Sequence, residues 1–252
     1  MKSTEVLAWE KAVQEAYARQ AQRFATKHWE ARFDFGYIVG KLLTDYTLLG
    51  RLELAGRSVL NVGCCEPIDE FYFASRVESW CALDINQEVL GQARALLCAD
   101  LSRELFQRLR FVGADAACLP FADASFDVVV SFSTIDHIPS SESRWRAIDE
   151  MCRLVKPGGH LVLTLPNKVN LYEVSYVWWG RRRRNLVYGY AVCFWPWVVR
   201  HALRRNGMRI LEFTSSAFNP FTSRFDWLLK RLRLASAKKL LGARMGFLAQ
   251  RV

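Results

Sequence analysis

The sequence predicts an α/β protein: a doubly wound, mainly parallel, seven-stranded sheet with an N-terminal helical cap. Short apolar runs recur at Ser58–Val62, Trp80–Leu83, Arg110–Val112, Phe126–Phe132 and His160–Leu165, with helical stretches or turns between them. Alternation of this kind marks parallel strands joined by crossover helices that cover both faces. A glycine turn follows the first run at Gly63, and a single carboxylate, Asp84, closes the second about twenty residues on. Two later runs, Met208–Phe213 and Met245–Val252, bring the strand number to seven.

The elements follow in order. Residues 1–50 read as a helical cap in front of one α/β domain over 51–252. Val6, Trp9, Val13, Tyr17 and Phe24 recur at helical spacing among charged residues, and a second helical stretch covers roughly Ile38–Leu49. Helices are expected over Ile68–Val77, Gln87–Cys98 and Ser141–Val155, the last capped by Ser140 or Ser141 with Glu142 in its first turn. Pro157 should end that helix, and Gly158-Gly159 should turn the chain straight into the buried strand at His160. Beyond Leu165 the periodicity loosens into a basic, aromatic elaboration at about 168–242. There Arg181–Arg184 lie between two aromatic-rich segments, Tyr172–Trp179 and Leu186–Trp197. A helix then reaches about Arg205, Asn206-Gly207 stops it, and Phe225, Leu228, Leu229 and Leu232 give a helical apolar stripe beside Lys230, Arg231 and Arg233.

A chain of 252 residues, 51% apolar and 24% charged, can bury a full core. Seven cysteines are scattered with no metal-ligand spacing and mostly inside apolar runs, which suits a reducing cytoplasm. The charged N-terminus lacks the apolar segment of a signal peptide. The net charge of +10 is uneven: residues 168–252 hold 17 Lys+Arg against 3 Asp+Glu, and the preceding 167 hold 18 against 22. Such a field draws phosphate-bearing partners. The uncharged run Leu186–Val199 is 14 residues, too short to span a bilayer but suited to an interfacial segment beside the arginines. An anionic membrane surface is therefore the expected partner, with a cytoplasmic protein peripheral at the inner face; an aromatic lid over the site is the other reading. Nucleic acid is disfavoured, because no recognised binding module accompanies the basic residues.

The chemistry starts at Ser58-Val-Leu-Asn-Val-Gly-Cys-Cys65 and Asp84. A glycine turn after one strand and an acid after the next hold an adenosine ligand: backbone approaches closely, and the carboxylate accepts from ribose hydroxyls. Phe111-Val-Gly-Ala-Asp115-Ala, Ser125-Phe-Asp-Val-Val-Val-Ser131, and Val155-Lys-Pro-Gly-Gly-His-Leu-Val-Leu163 follow in register. Together these resemble the class I S-adenosylmethionine-dependent methyltransferases, in particular the broad group acting on small molecules, lipids and glycans. The resemblance is continuous over roughly 55–167 and looser over 190–252.

By that resemblance the cofactor is S-adenosyl-L-methionine. Asn61, Gly63 and Cys64 would line its methionine end, Asp84 would hold the ribose and Ile85 would pack on adenine. Asp115 and the Ala116 amide would bind the adenine edge, with Ser131 beside the methionine portion. His137 would serve as the base, its ordinary pKa lying near working pH. Asp136 and Asn167 would contact the acceptor, a small molecule, lipid or glycan, methylated at a hydroxyl or, less favourably, at carbon or nitrogen. No metal is expected. Departures stand at Asn61, where the family has an acid, and at Cys65 and Pro67, where it has glycines. Weaker cofactor binding or a different loop path would follow. The alternatives are an inactive cofactor-binding adaptor, an RNA methyltransferase, and an NAD-dependent oxidoreductase, which lacks its further glycine after Gly63.

Overall fold

A computed structural model describes residues 4–23, 41–65, 67–186, 189–216 and 240–252. The strands are β1 (Ser58–Val62), β2 (Ser79–Asp84), β3 (Leu109–Gly113), β4 (Phe126–Phe132), β5 (Val155–Pro166), β6 (Met208–Ser216) and β7 (Arg244–Arg251). They form one sheet in the order β3-β2-β1-β4-β5-β7-β6. Five strands pair parallel; β7 runs antiparallel to both β5 and β6. This sheet is the seven-stranded one the sequence predicts. It also separates the two adenosine readings, because dinucleotide-binding sheets run 3-2-1-4-5-6 without a reversed strand wedged beside β5.

The helices are α1 (Thr4–Arg23), α2 (Asp45–Leu49), α3 (Ile68–Phe73), α4 (Gln87–Asp100), α5 (Arg103–Gln107), α6 (Ser141–Leu154), α7 (Leu171–Arg183) and α8 (Pro196–Arg205). One face of the sheet (Leu60, Val62, Leu83, Val129, Leu161, Leu163) packs on Ile148 and Met151 of α6 and Val199 and Leu203 of α8. The other (Val59, Trp80, Ala82, Val128, Val130) packs on Leu48 and Leu49 of α2, Phe73 of α3 and Leu90 and Leu97 of α4. Central strands covered on both faces read as unbroken apolar runs, which is why β1 and β4 fall where the sequence puts them.

Three differences have local causes. β5 begins at Val155, not His160: Val155 already pairs with Phe126, and Pro157-Gly158-Gly159 forms a bulge inside the strand. Gly158 takes φ +74, and a Cβ at Gly159 would sit 2.7 Å from the Asp127 carbonyl oxygen. The aromatic segment after Asn170 is the helix α7, capped by the Asn170 side chain accepting from the Glu173 amide at 2.8 Å. It buries only Val177 and Gly180, so no apolar stripe announced it. The short α5, capped by Ser102, is likewise too brief to show a period. The stripe Phe225–Leu232, Phe24 and 38–40 lie outside the described residues.

Candidate active site

The carboxyl edge of β1, β2 and β4 builds a cradle. Gly63 and Cys64 both donate their amides to the Leu83 carbonyl, at 2.7 and 2.9 Å, which folds the end of β1 against β2. Gly63 takes φ +78, and a Cβ there would overlap the Thr134 side chain, whose hydroxyl donates to the Gly63 carbonyl at 3.2 Å. Only glycine gives this conformation and this closeness. Asp84, buried at the end of β2, accepts from the Cys65 amide at 3.1 Å and the Asn86 amide at 2.9 Å. Burial raises its carboxyl above the usual range while those amides oppose the shift. The two oxygens of a carboxylate offer about four lone-pair sites, so accepting capacity remains beyond these amides. Ile85, next in the chain, is 55% exposed. Asp115 is exposed beyond β3, one oxygen accepting from the Ala117 amide at 2.8 Å, and Ala116 is buried beside it. Ser131 is fully buried and donates to the Val62 carbonyl at 3.0 Å, which ties β4 to β1.

The two departures in the loop resolve differently. Cys65 adopts φ +45, so the left-handed turn is kept despite the side chain, at a strain of about 1–3 kcal/mol. Asn61 is buried, and its amide donates to Glu70 of α3 at 2.8 Å. The Trp80 indole donates to the same oxygen at 2.9 Å. A buried acidic side chain therefore stands beside Asn61 after all, supplied from α3. Burial, with the charge of Asp69 adding to it, pushes the Glu70 carboxyl from 4.5 up to about 7. A raised carboxyl means the folded protein holds a proton the unfolded chain has lost, so stability falls as pH rises between those values and levels off above. Denaturant melts from pH 4.5 to 8 should therefore show the wild type losing stability relative to Glu70→Gln up to about pH 7. Parallel profiles would mean that Glu70 titrates normally.

Thr134 is followed by the 3-10 turn Ile135–His137. The His137 ring places Nδ1 2.6 Å from the Tyr190 carbonyl and Nε2 3.3 Å from the Asp136 carboxylate. Both ring nitrogens thus face acceptors, a carbonyl at Nδ1 and a carboxylate at Nε2. Asn167, expected at the acceptor, is fully buried. Its amide donates to the carbonyls of Leu240 and Gly242, both at 2.7 Å, and its oxygen accepts from the Val169 amide at 3.0 Å. Every polar atom of Asn167 thus holds loop backbone, and an acceptor contact is not what this side chain makes here.

The N-terminal segment closes this edge. Lys41 and Tyr46 both donate to Asp69 of α3, at 2.8 and 2.6 Å, and the Lys41 ammonium lies 5.5 Å from the Phe132 ring at the end of β4. Asp45 pairs with Arg244 of β7 at 3.1 Å. Sequence reasoning missed Glu70, Thr134, Asp45, Glu173 and Arg244. An acid among Ile68, Phe71 and Phe73 was a usable signal for Glu70; nothing local marks Asp45 and Arg244, which meet across 199 positions. Among the described residues no cluster of histidine, cysteine or acidic side chains could hold a metal ion.

These residues fit an adenosine ligand with a cationic methionine end: a strand-end acid, a close glycine turn and a buried acidic side chain on the neighbouring helix. Residues 60–163 match the family described as methyltransferase domain. The ubiquinone biosynthesis O-methyltransferase of Azoarcus sp. (strain BH72) is 26% identical over 212 residues, covering 81% of this chain and 88% of that protein. The 27-O-demethylrifamycin SV methyltransferase of Amycolatopsis mediterranei is 35% identical over 124 residues, covering 48% of this chain and 43% of that protein. This chain therefore spans less than half of the latter. A solved SAM-dependent methyltransferase from Methanosarcina mazei superposes with a TM-score of 0.60 at 21% identity, over 83% of this chain and 99% of that one, which shows the fold. The matched domain and these relatives support a class I S-adenosylmethionine-dependent methyltransferase, an enzyme with S-adenosylmethionine as its cofactor.

Proposed function

We propose that this enzyme methylates a hydroxyl of a small-molecule acceptor of lipid or lipid-linked glycan type, working against an anionic membrane surface on the cytoplasmic side. The supporting observation is an exposed aromatic face beside the arginine run. Leu171, Tyr172, Tyr176, Trp178 and Trp179 of α7 and Trp195 and Trp197 around the start of α8 all lie open to solvent. Arg182 and Arg183 stack on Trp178 and Trp179, at 5.9 and 5.1 Å from the ring centroids, and Lys168 stacks on Trp195 at 5.3 Å. Cationic groups paired with large aromatic rings suit the headgroup layer of an anionic bilayer. Among the described residues no helix is long and apolar enough to cross a membrane, so contact would be peripheral. The reading takes residues 1–50 as a cap on the catalytic domain 51–252, with 168–242 as its membrane-facing elaboration.

When bound, S-adenosylmethionine supplies a methyl group already activated by sulfonium charge. The protein's part is alignment and, for a hydroxyl, removal of one proton. The assignment gives Asp84 and Asp115 the two ends of the adenosine, with Gly63, Cys64, Ala116 and Ser131 shaping the walls. Nε2 of His137 takes the hydroxyl proton, and the Asp136 carboxylate, 3.3 Å from that nitrogen, stabilises the imidazolium so formed. Changing Arg181–Arg184 to serine tests the surface: each basic residue near an anionic bilayer contributes about 1 kcal/mol. Sedimentation with phosphatidylglycerol vesicles should fall at least roughly tenfold, while cofactor binding is kept. Undiminished sedimentation would remove the membrane from the proposal.

A further inference from the structure

Residues three apart on a helix share a face, so the arginine run at the end of α7 divides in two. Arg182 and Arg183 are exposed and stack on the exposed rings of Trp178 and Trp179. Arg181 turns the other way. Its guanidinium lies 4.5 Å from the centroid of the Tyr190 ring and 5.6 Å from that of Trp9 in α1. Arg184 follows it, 5.9 Å from the Trp9 ring. The Trp9 and Tyr190 rings meet directly, with centroids 5.3 Å apart. Tyr190 is buried under this cover, while Trp9 and Arg181 are half-buried. One turn further along α1, the Ala12 carbonyl oxygen would lie 2.7 Å from a Cβ at Gly189, which takes φ +76. Glycine therefore lets α1 lie against the backbone that leads into Tyr190.

The backbone of that same tyrosine reaches the proposed base. Its carbonyl oxygen lies 2.6 Å from Nδ1 of His137. Two residues on, the Val192 amide donates to the Asp136 carbonyl at 3.1 Å, and the Phe194 amide donates to the Pro166 carbonyl at 3.0 Å. Leu186 and Ala191 pack with Val177 of α7. The 3-10 turn and the end of β5 thus hold the chain from Val192 onward, whereas α1 and α7 hold the Tyr190 ring. A hydrogen bond at one imidazole nitrogen sets the ring's orientation and the state of the other nitrogen. We propose that Trp9 and Arg181 are positioning residues for His137: by clamping the Tyr190 ring they fix the carbonyl that orients the imidazole. The proposal takes its catalytic meaning from the reading of His137 as the base. It goes further by giving α1, and one arginine of the run, a part in the reaction that Arg182 and Arg183 do not share.

Magnetic resonance of the histidine ring nitrogens in the full chain tests it, with His137→Gln assigning the signal. A carbonyl only accepts, so the wild type should show a proton on Nδ1 that exchanges slowly with water. Arg181→Ala and Trp9→Ala should each speed that exchange at least roughly tenfold, the loss of about one buried cation–π contact. Trp9→Phe, which keeps a ring for Arg181 and Tyr190, should restore slow exchange, and Arg182→Ala should change nothing. Calorimetry with S-adenosylhomocysteine checks every variant for a kept fold; should Trp9→Ala fail it, Arg181→Ala and Trp9→Phe decide. Unchanged exchange in a folded alanine variant, equal loss in Arg182→Ala, no rescue by Trp9→Phe, or a wild-type ring without a protected Nδ1 proton would overturn the proposal. The measurement reads ring placement and not turnover, so its failure is distinct from failure of the base, which turnover by His137→Gln decides separately.

Discussion

Replacing Asp84 with alanine is expected to lower affinity for S-adenosylhomocysteine by roughly a hundredfold or more. Hydrogen bonds to a charged group contribute about 1.5–3 kcal/mol each, and a diol makes two of them; every 1.4 kcal/mol is about tenfold in binding. The carboxylate also orders the cradle from within, because its two oxygens hold the amides of Cys65 and Asn86. Alanine would leave both amides searching for water, so the loop should loosen as well as the ribose contact fail. Asp84→Asn separates these roles: its one remaining carbonyl oxygen can keep an amide, but without charge. Calorimetry reads both variants, and wild-type affinity in the alanine protein would place the nucleoside elsewhere on the sheet.

Gly63→Ala should damage both the fold and binding. The residue holds φ +78 with Thr134 against it. A left-handed alanine costs about 1–2 kcal/mol and overpacking typically adds 1–3. For a domain of this size each kcal/mol moves the melting temperature by about 2–4 °C, so a drop on the order of 10 °C is expected, with cofactor binding lost. Adding Thr134→Ala should recover the overlap but not the backbone strain. Calorimetric melting of the single and double variants distinguishes the two contributions. A single variant that melts with the wild type would show that the turn has room the structure denies it.

What the sequence makes legible is what local constraint dictates. β1 and β4 fall on the expected residues because buried parallel strands leave continuous apolar runs. Gly63 and Asp84 stand out because a tight turn and a strand-end acid need particular residue types at a fixed interval. Contacts between distant parts of the chain leave no such trace. Asp45 meets Arg244, 199 positions away, only after the sheet is complete. Asn167 shows the opposite failure. A polar residue just past a strand end suggests a ligand contact, yet here it clamps the backbone that precedes β7. α7 was obscured for the reason that makes it interesting: its aromatics point outward, so no buried stripe reports the helical period.

The reversed strand β7 also dictates an order of assembly. A ribosome makes β6 before β7, yet β6 reaches the rest of the sheet only through β7. Until that segment emerges, β5 keeps a bare edge of unpaired amides and carbonyls, an invitation to wrong pairing. Completion of the sheet, and with it the arrival of Arg244 opposite Asp45, therefore waits for β7.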